Sequence, residues 1–376
     1  MKVGVITCHK VYNYGASLQS YALQHYLKKK GIKAYLINYL PDLFRSKYNL
    51  FFVREDRRKI VTKFPILKLL MPLSNRQMLI TWGRKKAFNK FDTEHIDLSP
   101  SSYSSIDELK KNPPVADIYI TGSDQVWNTD MSNGRDASYF LDFGDEKIKR
   151  ISYAASFGIS NIKEEYKAPI KEWLKRFKAI SVREKTGLNI LASMGYTNNC
   201  TNVIDPVFLL SKDEWANLSQ NHIHRKLEKI PYILVYDFYH NDIKVKKIVE
   251  KIAKEKNLKI VSINDTKRLS YANININNAG PLDFVWLIHH ATTVVSTSFH
   301  ATAFSIIFQK DFYSYTLLTQ KNASRMSDLL DLCQIKNRLN INPHEINAFI
   351  QWEDVKSRIN DRCSIFTSLI ISDCSF

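Results

Sequence analysis

The chain alternates strand and helix patterns in two successive series, and this alternation limits the possible folds more than any other feature. Short β-branched and aromatic runs predict buried strands, and amphipathic helical spacing follows many of them. A polar stretch with a helical pattern, at 211–229, separates the two series. The predicted strands are 2–7, 34–39, 116–121, 150–155 and 179–182 in the first series, and 232–236, 259–263, 292–297 and 311–315 in the second.

Two such series predict an α/β protein with two Rossmann-like domains that face each other across a cleft. A length of 376 residues also suits two domains better than one core. We expect an N-terminal Rossmann-like domain at 1–210, with a basic helical insertion at about 42–95. The C-terminal Rossmann-like domain is expected at 228–344, and a closing C-terminal helix at 345–376.

Composition argues against several classes of protein. The five cysteines are scattered and show no CxxC spacing, so neither a disulfide framework nor a zinc site is expected, and a reducing cytoplasm fits. The first residues lack the apolar region of a signal peptide, and no apolar run approaches the roughly 20 residues that cross a bilayer. No Walker A sequence or GxGxxG follows a predicted strand, and no His/Asp/Glu cluster has metal-ligand spacing. The sequence therefore argues against nucleotide hydrolysis, dinucleotide binding and a metal site.

The net charge of +17 is concentrated in one segment, since residues 28–90 contain seventeen Lys or Arg and three acidic residues. Two basic clusters and several bulky apolar residues stand out there: Arg57-Arg58-Lys59, Arg84-Lys85-Lys86 after Trp82, and Phe51, Phe52, Leu69 and Leu70. This mixture suits reversible, peripheral association with an anionic inner membrane surface. The alternative is a solvated basic surface. No nucleic acid is expected as a partner, because no helix-turn-helix, RNP or zinc-finger signature is present.

One strand-to-helix junction carries an imidazole. At 292–308 a short β-branched run is followed by helical spacing, and Ser298-Phe299-His300 form the join. The free N–H groups of a helix N-terminus favour an anion, and ligands of open α/β sheets bind at the carboxyl ends of strands. His300 is therefore a candidate proton donor beside a bound anion; alternatively, it caps the helix or packs beneath it.

Polar residues follow other predicted strands in the same way, and we expect these strand ends to converge on the cleft. The residues expected to bind substrate are Asn13, Tyr14, Gly15, Ser123, Gln125, Ser156, Arg183, Ser298 and Phe299. The segments at 13–15 and 122–128 have turn chemistry as an alternative explanation.

Six short motifs are spread along most of the chain. They read NYGASLQSYAL (13–23), GSDQVWN (122–128), SYAASFG (152–158), SVREKTG (181–187), IDPVFLL (204–210) and SFHATAFSIIF (298–308). Together they resemble the polysaccharide pyruvyl transferase family, from the first residue to about 340. Each segment alone is weak evidence, but six in order are strong.

The resemblance implies a fold similar to the two-domain GT-B glycosyltransferases. It also implies that the chain uses phosphoenolpyruvate to place a pyruvate ketal across two hydroxyls of a sugar, with release of phosphate. The implied acceptors are precursors of capsule or exopolysaccharide, linked to a lipid or a nucleotide. Phosphoenolpyruvate is the implied donor substrate, and no cofactor is expected.

The family's functional residues are carried over by position. His300 matches the family histidine that is assigned as the acid, and Arg183 matches an arginine of the same site. Many relatives have arginine two positions before that histidine, where this chain has Ser298. We expect Arg325 to supply the missing anion contact, and either Asp124 or Glu184 to act as the base.

Alternatives remain open at this stage. Arg183 could simply pair with Glu184 or Asp205, and Arg325 could be a helix residue without a ligand contact. Two other functions are also consistent with the sequence: a GT-B glycosyltransferase that uses a nucleotide sugar, and a non-catalytic glycan- or lipid-binding module.

Overall fold

The computed structural model describes residues 1–41, 82–220, 225–238, 242–264, 267–316, 324–342 and 349–371. Within these residues the strands form two five-stranded parallel sheets and one short parallel pair. No helix in this part of the chain is long and apolar enough to span a membrane.

The first sheet lies in the N-terminal half. Its strands are β1 (Lys2–Ile6), β2 (Lys33–Tyr39), β3 (Leu98–Tyr103), β4 (Ile118–Thr121) and β5 (Lys149–Ser152). They are arranged in the order β3-β2-β1-β4-β5. Val3, Val5 and Ile6 of β1 are buried, as expected for a central strand that is covered on both faces. Two short strands, β6 (Ile180–Val182) and β7 (Cys200–Asn202), pair with each other, and isolated bridges join β6 to the β5 side of this sheet.

The helices of the N-terminal half include one that is buried along most of its length. They are α1 (Tyr14–Lys29), α2 (Trp82–His95), α3 (Ile106–Lys111), α4 (Glu164–Leu174), α5 (Lys185–Ser193) and α6 (Lys212–Leu218). The first eleven residues of α1 are all buried. The amide nitrogen of one polar residue among them has an internal partner, because Gln19 Nε2 donates to Thr7 Oγ1 at 2.9 Å.

The second sheet repeats the topology of the first. Its strands are β8 (Tyr232–Tyr236), β9 (Lys259–Ile263), β10 (Ile274–Ile276), β11 (Thr293–Ser296) and β12 (Asp311–Ser314), in the order β10-β9-β8-β11-β12. The helices of this half are α7 (Ile243–Glu255), α8 (Pro281–His290), α9 (Phe299–Ile307), α10 (Ser324–Leu332) and α11 (Trp352–Ile371). The predicted α/β architecture with two Rossmann-like halves is therefore confirmed.

The two halves pack directly against each other. Tyr14 of α1 stacks on Phe284 of α8 with ring centroids 4.6 Å apart, and its hydroxyl donates to the Ala279 carbonyl at 3.1 Å. Helix α11 returns to the N-terminal half, where Arg362 Nη1 donates to the Asn202 carbonyl at 3.2 Å. A single hydrophobic cluster contains residues of both halves. This packing brings the carboxyl ends of the two sheets together.

Some elements differ from the sequence-based predictions. Strands β3 and β10 were not predicted, because both lie at sheet edges and β3 reads LSPSSY, a polar run with a proline that only an edge strand tolerates. The closing helix begins at Trp352 rather than at 345, since residues 349–351 are not helical and the residues just before them lie outside the described part. In the 211–229 stretch, only α6 and a 3-10 turn at Arg225–Leu227 are helical among the described residues.

Most of the basic insertion, at 42–81, lies outside the described residues, and with it lie Arg57-Arg58-Lys59 and the four apolar residues named above. The remainder forms α2, where Trp82 is 64% exposed. Arg84, by contrast, is only 8% exposed: it donates to the Tyr14 hydroxyl and to the Tyr12 carbonyl at 3.1 Å. Its assignment to a membrane-facing cluster is wrong, because its guanidinium packs over the Tyr14 ring.

Candidate active site

The polar strand ends of both halves meet at one place. Asp124 follows β4, Arg183 follows β6, and Asp205 lies three residues beyond β7. His300 lies in the first turn of α9, just beyond the end of β11 in the C-terminal half. The predicted convergence of these strand ends is therefore present in the structure.

The carboxylate of Asp205 is the centre of this cluster and has no exposed side-chain surface. Arg183 Nη1 donates to Asp205 Oδ2 at 2.6 Å, and His300 Nε2 lies 3.5 Å from the same oxygen. Ser123 Oγ also donates to Oδ2, at 3.3 Å, and the Val207 N–H donates to Oδ1 at 3.1 Å. Asp205 thus connects a cation of the N-terminal half with an imidazole of the C-terminal half.

These contacts keep the Asp205–Arg183 pair charged. Burial by itself raises the pKa of Asp205, but His300 and Arg183 lower that pKa below its ordinary value. Burial likewise lowers the pKa of Arg183, while the carboxylates beside it, Asp205 first, raise that pKa above its ordinary value. The pair therefore remains a carboxylate and a guanidinium at neutral pH.

The ion pair with Asp205 occupies only part of the hydrogen-bonding capacity of Arg183. Its side chain is 2% exposed, yet Nε has no hydrogen-bond partner among the described residues. Nη2 lies 3.5 Å from Asp124 Oδ1, and the guanidinium carbon lies 4.8 Å from the centroid of the Phe299 ring. The structural pairing considered from the sequence is present, but it leaves one edge of the guanidinium for a further contact.

The two candidate bases have different environments. Asp124 has a backbone φ of +75°, unusual for a residue with a side chain, and its side chain is 19% exposed. Glu184 is fully buried, and its Oε1 accepts the N–H groups of Phe157 at 2.8 Å and Gly158 at 3.1 Å. Glu184 therefore fixes the turn after β5, whereas Asp124 is the more accessible of the two carboxylates.

A second guanidinium shares the cavity beside this cluster. The cavity has a volume of about 90 Å³, and its lining includes Arg183, Asp205, Phe299 and Arg325. Burial, followed by the nearby charge of Arg183, lowers the pKa of Arg325 to about 10, so the group stays protonated at neutral pH. Its Nε has no hydrogen-bond partner in the described part of the chain. The structure therefore brings Arg325 together with Arg183, as predicted.

The other predicted substrate-binding residues have mixed surroundings. Ser298 and Asn13 are helix caps: their side chains accept the N–H groups of Ala301 at 3.4 Å and Ala16 at 3.2 Å. Ser156 Oγ is buried without a partner among the described residues. The side-chain carbonyl of Gln125 accepts Asn128 Nδ2 at 2.7 Å.

Two further predicted substrate-binding residues serve the packing of the halves. Tyr14 is fully buried between the two halves. Its side chain therefore packs the halves together and is not exposed to a substrate. Gly15 lies against the ring of His300, where a side chain would collide.

Sequence reasoning left three residues out of the candidate site. Asp205 was considered only as a partner of Arg183, although the Asp-Pro step just beyond a strand was a visible signal. Lys185 and Asp328 also line the cavity, and the Lys185 N–H donates to Asp328 Oδ2 at 2.7 Å. No local pattern indicates this last contact, because the two residues are 143 positions apart.

Solved structures similar to this chain share its fold. A UDP-GlcNAc 2-epimerase of Methanocaldococcus jannaschii is 11% identical, with a TM-score of 0.50 over 96% of this chain and 93% of that chain. A Listeria monocytogenes protein provisionally assigned as a UDP-N-acetylglucosamine 2-epimerase is 9% identical, with a TM-score of 0.51 over 100% of this chain and 96% of that chain. Both are consistent with the GT-B-type arrangement of two Rossmann-like domains. No curated protein matches the chain.

The family model for polysaccharide pyruvyl transferase matches residues 13–316. The matched region begins at the cap of α1 and ends just beyond β12, so it contains the whole second sheet and every strand of the first sheet except β1. It also contains Asp124, Arg183, Asp205 and His300, the residues that meet at the boundary of the halves. The chain therefore belongs to the polysaccharide pyruvyl transferase family.

Proposed function

We propose that the chain transfers pyruvate from phosphoenolpyruvate to two hydroxyls of one sugar, forming a ketal and releasing phosphate. The acceptor is a glycan precursor of a cell-surface polysaccharide, linked to a lipid or a nucleotide. One observation carries the proposal: the buried Arg183 and the imidazole of His300 share the carboxylate of Asp205 beside a cavity that a second guanidinium lines.

The two guanidiniums suit the charges of this donor. Phosphoenolpyruvate carries a phosphate and a carboxylate, and arginine binds either group through a planar fork of N–H donors. Arg183 and Arg325 each have an Nε without a partner among the described residues. Because Ser298 stands where many relatives have arginine, Arg325 is the residue we assign to the second anion contact.

His300 is the proposed acid, acting through Nε2. Nδ1 faces Gly15 of α1, so we assign proton transfer to Nε2, which is buried and has no hydrogen-bond partner among the described residues. The Asp205 carboxylate lies 3.5 Å from Nε2 and orients the ring. Phe299 packs edge-on against the ring and limits its rotation.

The proposed reaction has two addition steps. His300 Nε2 gives a proton to C3 of phosphoenolpyruvate, which makes C2 electron-deficient, and one sugar hydroxyl adds to C2 as it loses its proton to a base. The C2–O bond to phosphate then breaks, and the second hydroxyl adds to C2 with loss of its own proton. Of the two hydroxyl protons, one replaces the proton that His300 gave and the other leaves with hydrogen phosphate.

Asp124 is the base that we propose for these hydroxyls. It is partly exposed and lies 3.5 Å from the Arg183 guanidinium, so an acceptor can reach it while the donor is held. Glu184 is fully buried, and two backbone N–H groups already hold one of its oxygens. We therefore assign Glu184 to positioning rather than to proton transfer.

The test is to incubate the purified chain with phosphoenolpyruvate and a panel of lipid-linked and nucleotide-linked glycans. Phosphate release that depends on an acceptor, together with an acid-labile pyruvate ketal in the product mass, is the expected result. Release of a nucleoside diphosphate from a sugar nucleotide, without consumption of phosphoenolpyruvate, would identify a glycosyltransferase instead. Tight glycan binding without turnover of either donor would identify a non-catalytic module.

A further inference from the structure

Helix α5 begins beside the cavity, and its N-terminus lacks a capping hydrogen bond from its own N-cap side chain. Its N-cap residue is Glu184, whose side chain makes no capping hydrogen bond to the helix. The Glu184 carboxylate instead accepts the N–H groups of Phe157 and Gly158. The first N–H groups of α5 therefore need an acceptor from elsewhere, and they favour a negative one.

An acidic residue of the opposite half supplies this acceptor. Asp328 of α10 accepts the Lys185 N–H through Oδ2 at 2.7 Å. The interaction joins the first residue of α5 to a helix of the C-terminal half, 143 positions away. Desolvation raises the pKa of this carboxyl, so part of its stabilising effect is offset by the cost of burying its charge.

Other donors at the same cavity lack partners. Arg183 lines the cavity with a side chain that is 2% exposed, and its Nε has no partner within the described ranges. Arg325 also lines the cavity, and its Nε likewise has no hydrogen-bond partner among the described residues. A helix N-terminus and two guanidiniums thus face one small space.

We propose that the N-terminus of α5, together with Arg183 and Arg325, is a phosphate subsite, and that the Asp328 carboxylate occupies the place of one phosphate oxygen until phosphate displaces it. This inference rests on the proposed function, because it assigns the phosphate group of the donor and the released phosphate to this subsite. A phosphate offers more acceptor oxygens than a carboxylate and carries more charge, so it satisfies more of these donors at once. Displacement of Asp328 would also release a contact between the two halves.

The test measures binding of inorganic phosphate by calorimetry at constant pH and ionic strength. Asp328→Asn removes the competing charge from the Lys185 N–H and should tighten phosphate binding roughly tenfold. The matched control is Asp331→Asn on the same helix: Asp331 also lines the cavity, but its carboxylate pairs with Lys336 at 3.1 Å. We expect the control to change the affinity less than threefold. Equal gains in both variants would reduce the effect to general electrostatics and overturn the proposal.

A second pair of variants tests the backbone donor itself. Lys185→Pro removes this N–H at the first helical position, where proline is tolerated, and Glu184 already has the extended backbone that precedes proline (φ −122°, ψ 149°). Lys185→Ala removes the same side-chain charge but keeps the N–H. In the Asp328→Asn background, the proline variant should lose most of the gain in phosphate affinity, and the alanine variant should keep most of it. Equal loss in both variants would contradict a role for the amide.

These outcomes separate this inference from the proposed function. Phosphate binding that follows the predicted pattern, in a chain that forms no ketal, would leave the subsite standing and remove the proposed function. Ketal formation with unchanged phosphate affinity in Asp328→Asn would support the proposed function and overturn the phosphate subsite. Thermal unfolding of each variant, read alongside, excludes loss of fold as the cause.

Discussion

The imidazole of His300 packs against Gly15 so closely that a methyl group on Gly15 would lie 1.9 Å from Nδ1. Gly15 is the second residue of α1 in the N-terminal half, and His300 is the second residue of α9 in the C-terminal half. The ring therefore occupies the space that a side chain on α1 would fill. This contact fixes Nδ1 against α1 and directs Nε2 toward Asp205.

Gly15→Ala should therefore abolish most turnover while the protein remains folded. Alanine is favoured over glycine inside a helix by about 1 kcal/mol, which partly offsets an overpacking cost of about 1–3 kcal/mol. The imidazole has to move, so we expect a rate loss close to that of removing it. Turnover and the urea midpoint are measured together. The matched control is Gly83→Ala in α2, where the nearest neighbour of the new methyl is Asn278 Cβ at 3.1 Å. Full activity in Gly15→Ala would contradict the proposed position of the ring.

His300→Ala should fold normally and lose turnover by roughly a hundredfold to ten-thousandfold, the usual contribution of general acid catalysis. Phosphate release and ketal formation should fall together, because both follow protonation of C3. The control is His25→Ala on α1, a histidine stacked on Tyr21 away from the cluster. Near-normal rates in His300→Ala would show that His300 is not the acid.

Arg183→Lys should raise the KM for phosphoenolpyruvate by roughly tenfold to a hundredfold. Lysine keeps the charge but loses the planar fork, and a hydrogen bond to a charged group contributes about 1.5–3 kcal/mol. Arg176→Lys is the matched control, because Arg176 donates to the Gly144 carbonyl and does not line the cavity. An unchanged KM would show that Arg183 serves only the fold.

Asp205→Asn should destabilise the protein by about 3–5 kcal/mol at neutral pH, since it leaves Arg183 as a buried cation without its carboxylate. The pKa of Asp205 in the folded state lies below the unfolded value of about 3.9. Its stabilising effect is therefore complete above that pH and is lost as the pH falls toward the folded pKa. The difference in urea midpoint between wild type and variant should shrink below about pH 4. A difference that stays constant down to pH 3 would contradict this linkage. The exposed Asp130 supplies a control substitution to Asn.

We also expect the chain to bind vesicles that contain anionic lipid, in a salt-sensitive manner. Each basic residue near the headgroups contributes about 1 kcal/mol, and Trp82 and Lys86 are exposed on α2. Trp82→Ala with Lys86→Ala should weaken co-sedimentation, whereas Arg84→Ala should lower stability because Arg84 packs on Tyr14. Negligible binding to neutral and anionic vesicles alike would identify an ordinary solvated surface.

The amino-acid pattern alone was sufficient for the architecture and for the convergence of the polar strand ends. Alternating strand and helix periods predicted two Rossmann-like halves, because burial on both faces of a parallel strand leaves a local apolar signature. Polar residues directly after those strands indicated Asp124, Arg183 and His300, since parallel strands end at a common edge. The domain boundaries at 210, 228 and 344 stay predictions.

Tertiary packing alone decided which of these side chains meet. That Asp205 joins Arg183 to His300, that Gly15 makes room for the imidazole, and that Asp328 caps α5 are contacts between residues far apart in sequence. The burial of Arg84 is of the same kind: its local composition resembles a solvated basic surface, and only α1 packed beneath it makes it a core residue. Local periodicity records whether a residue faces a core, but the identity of its partner depends on how the two halves dock.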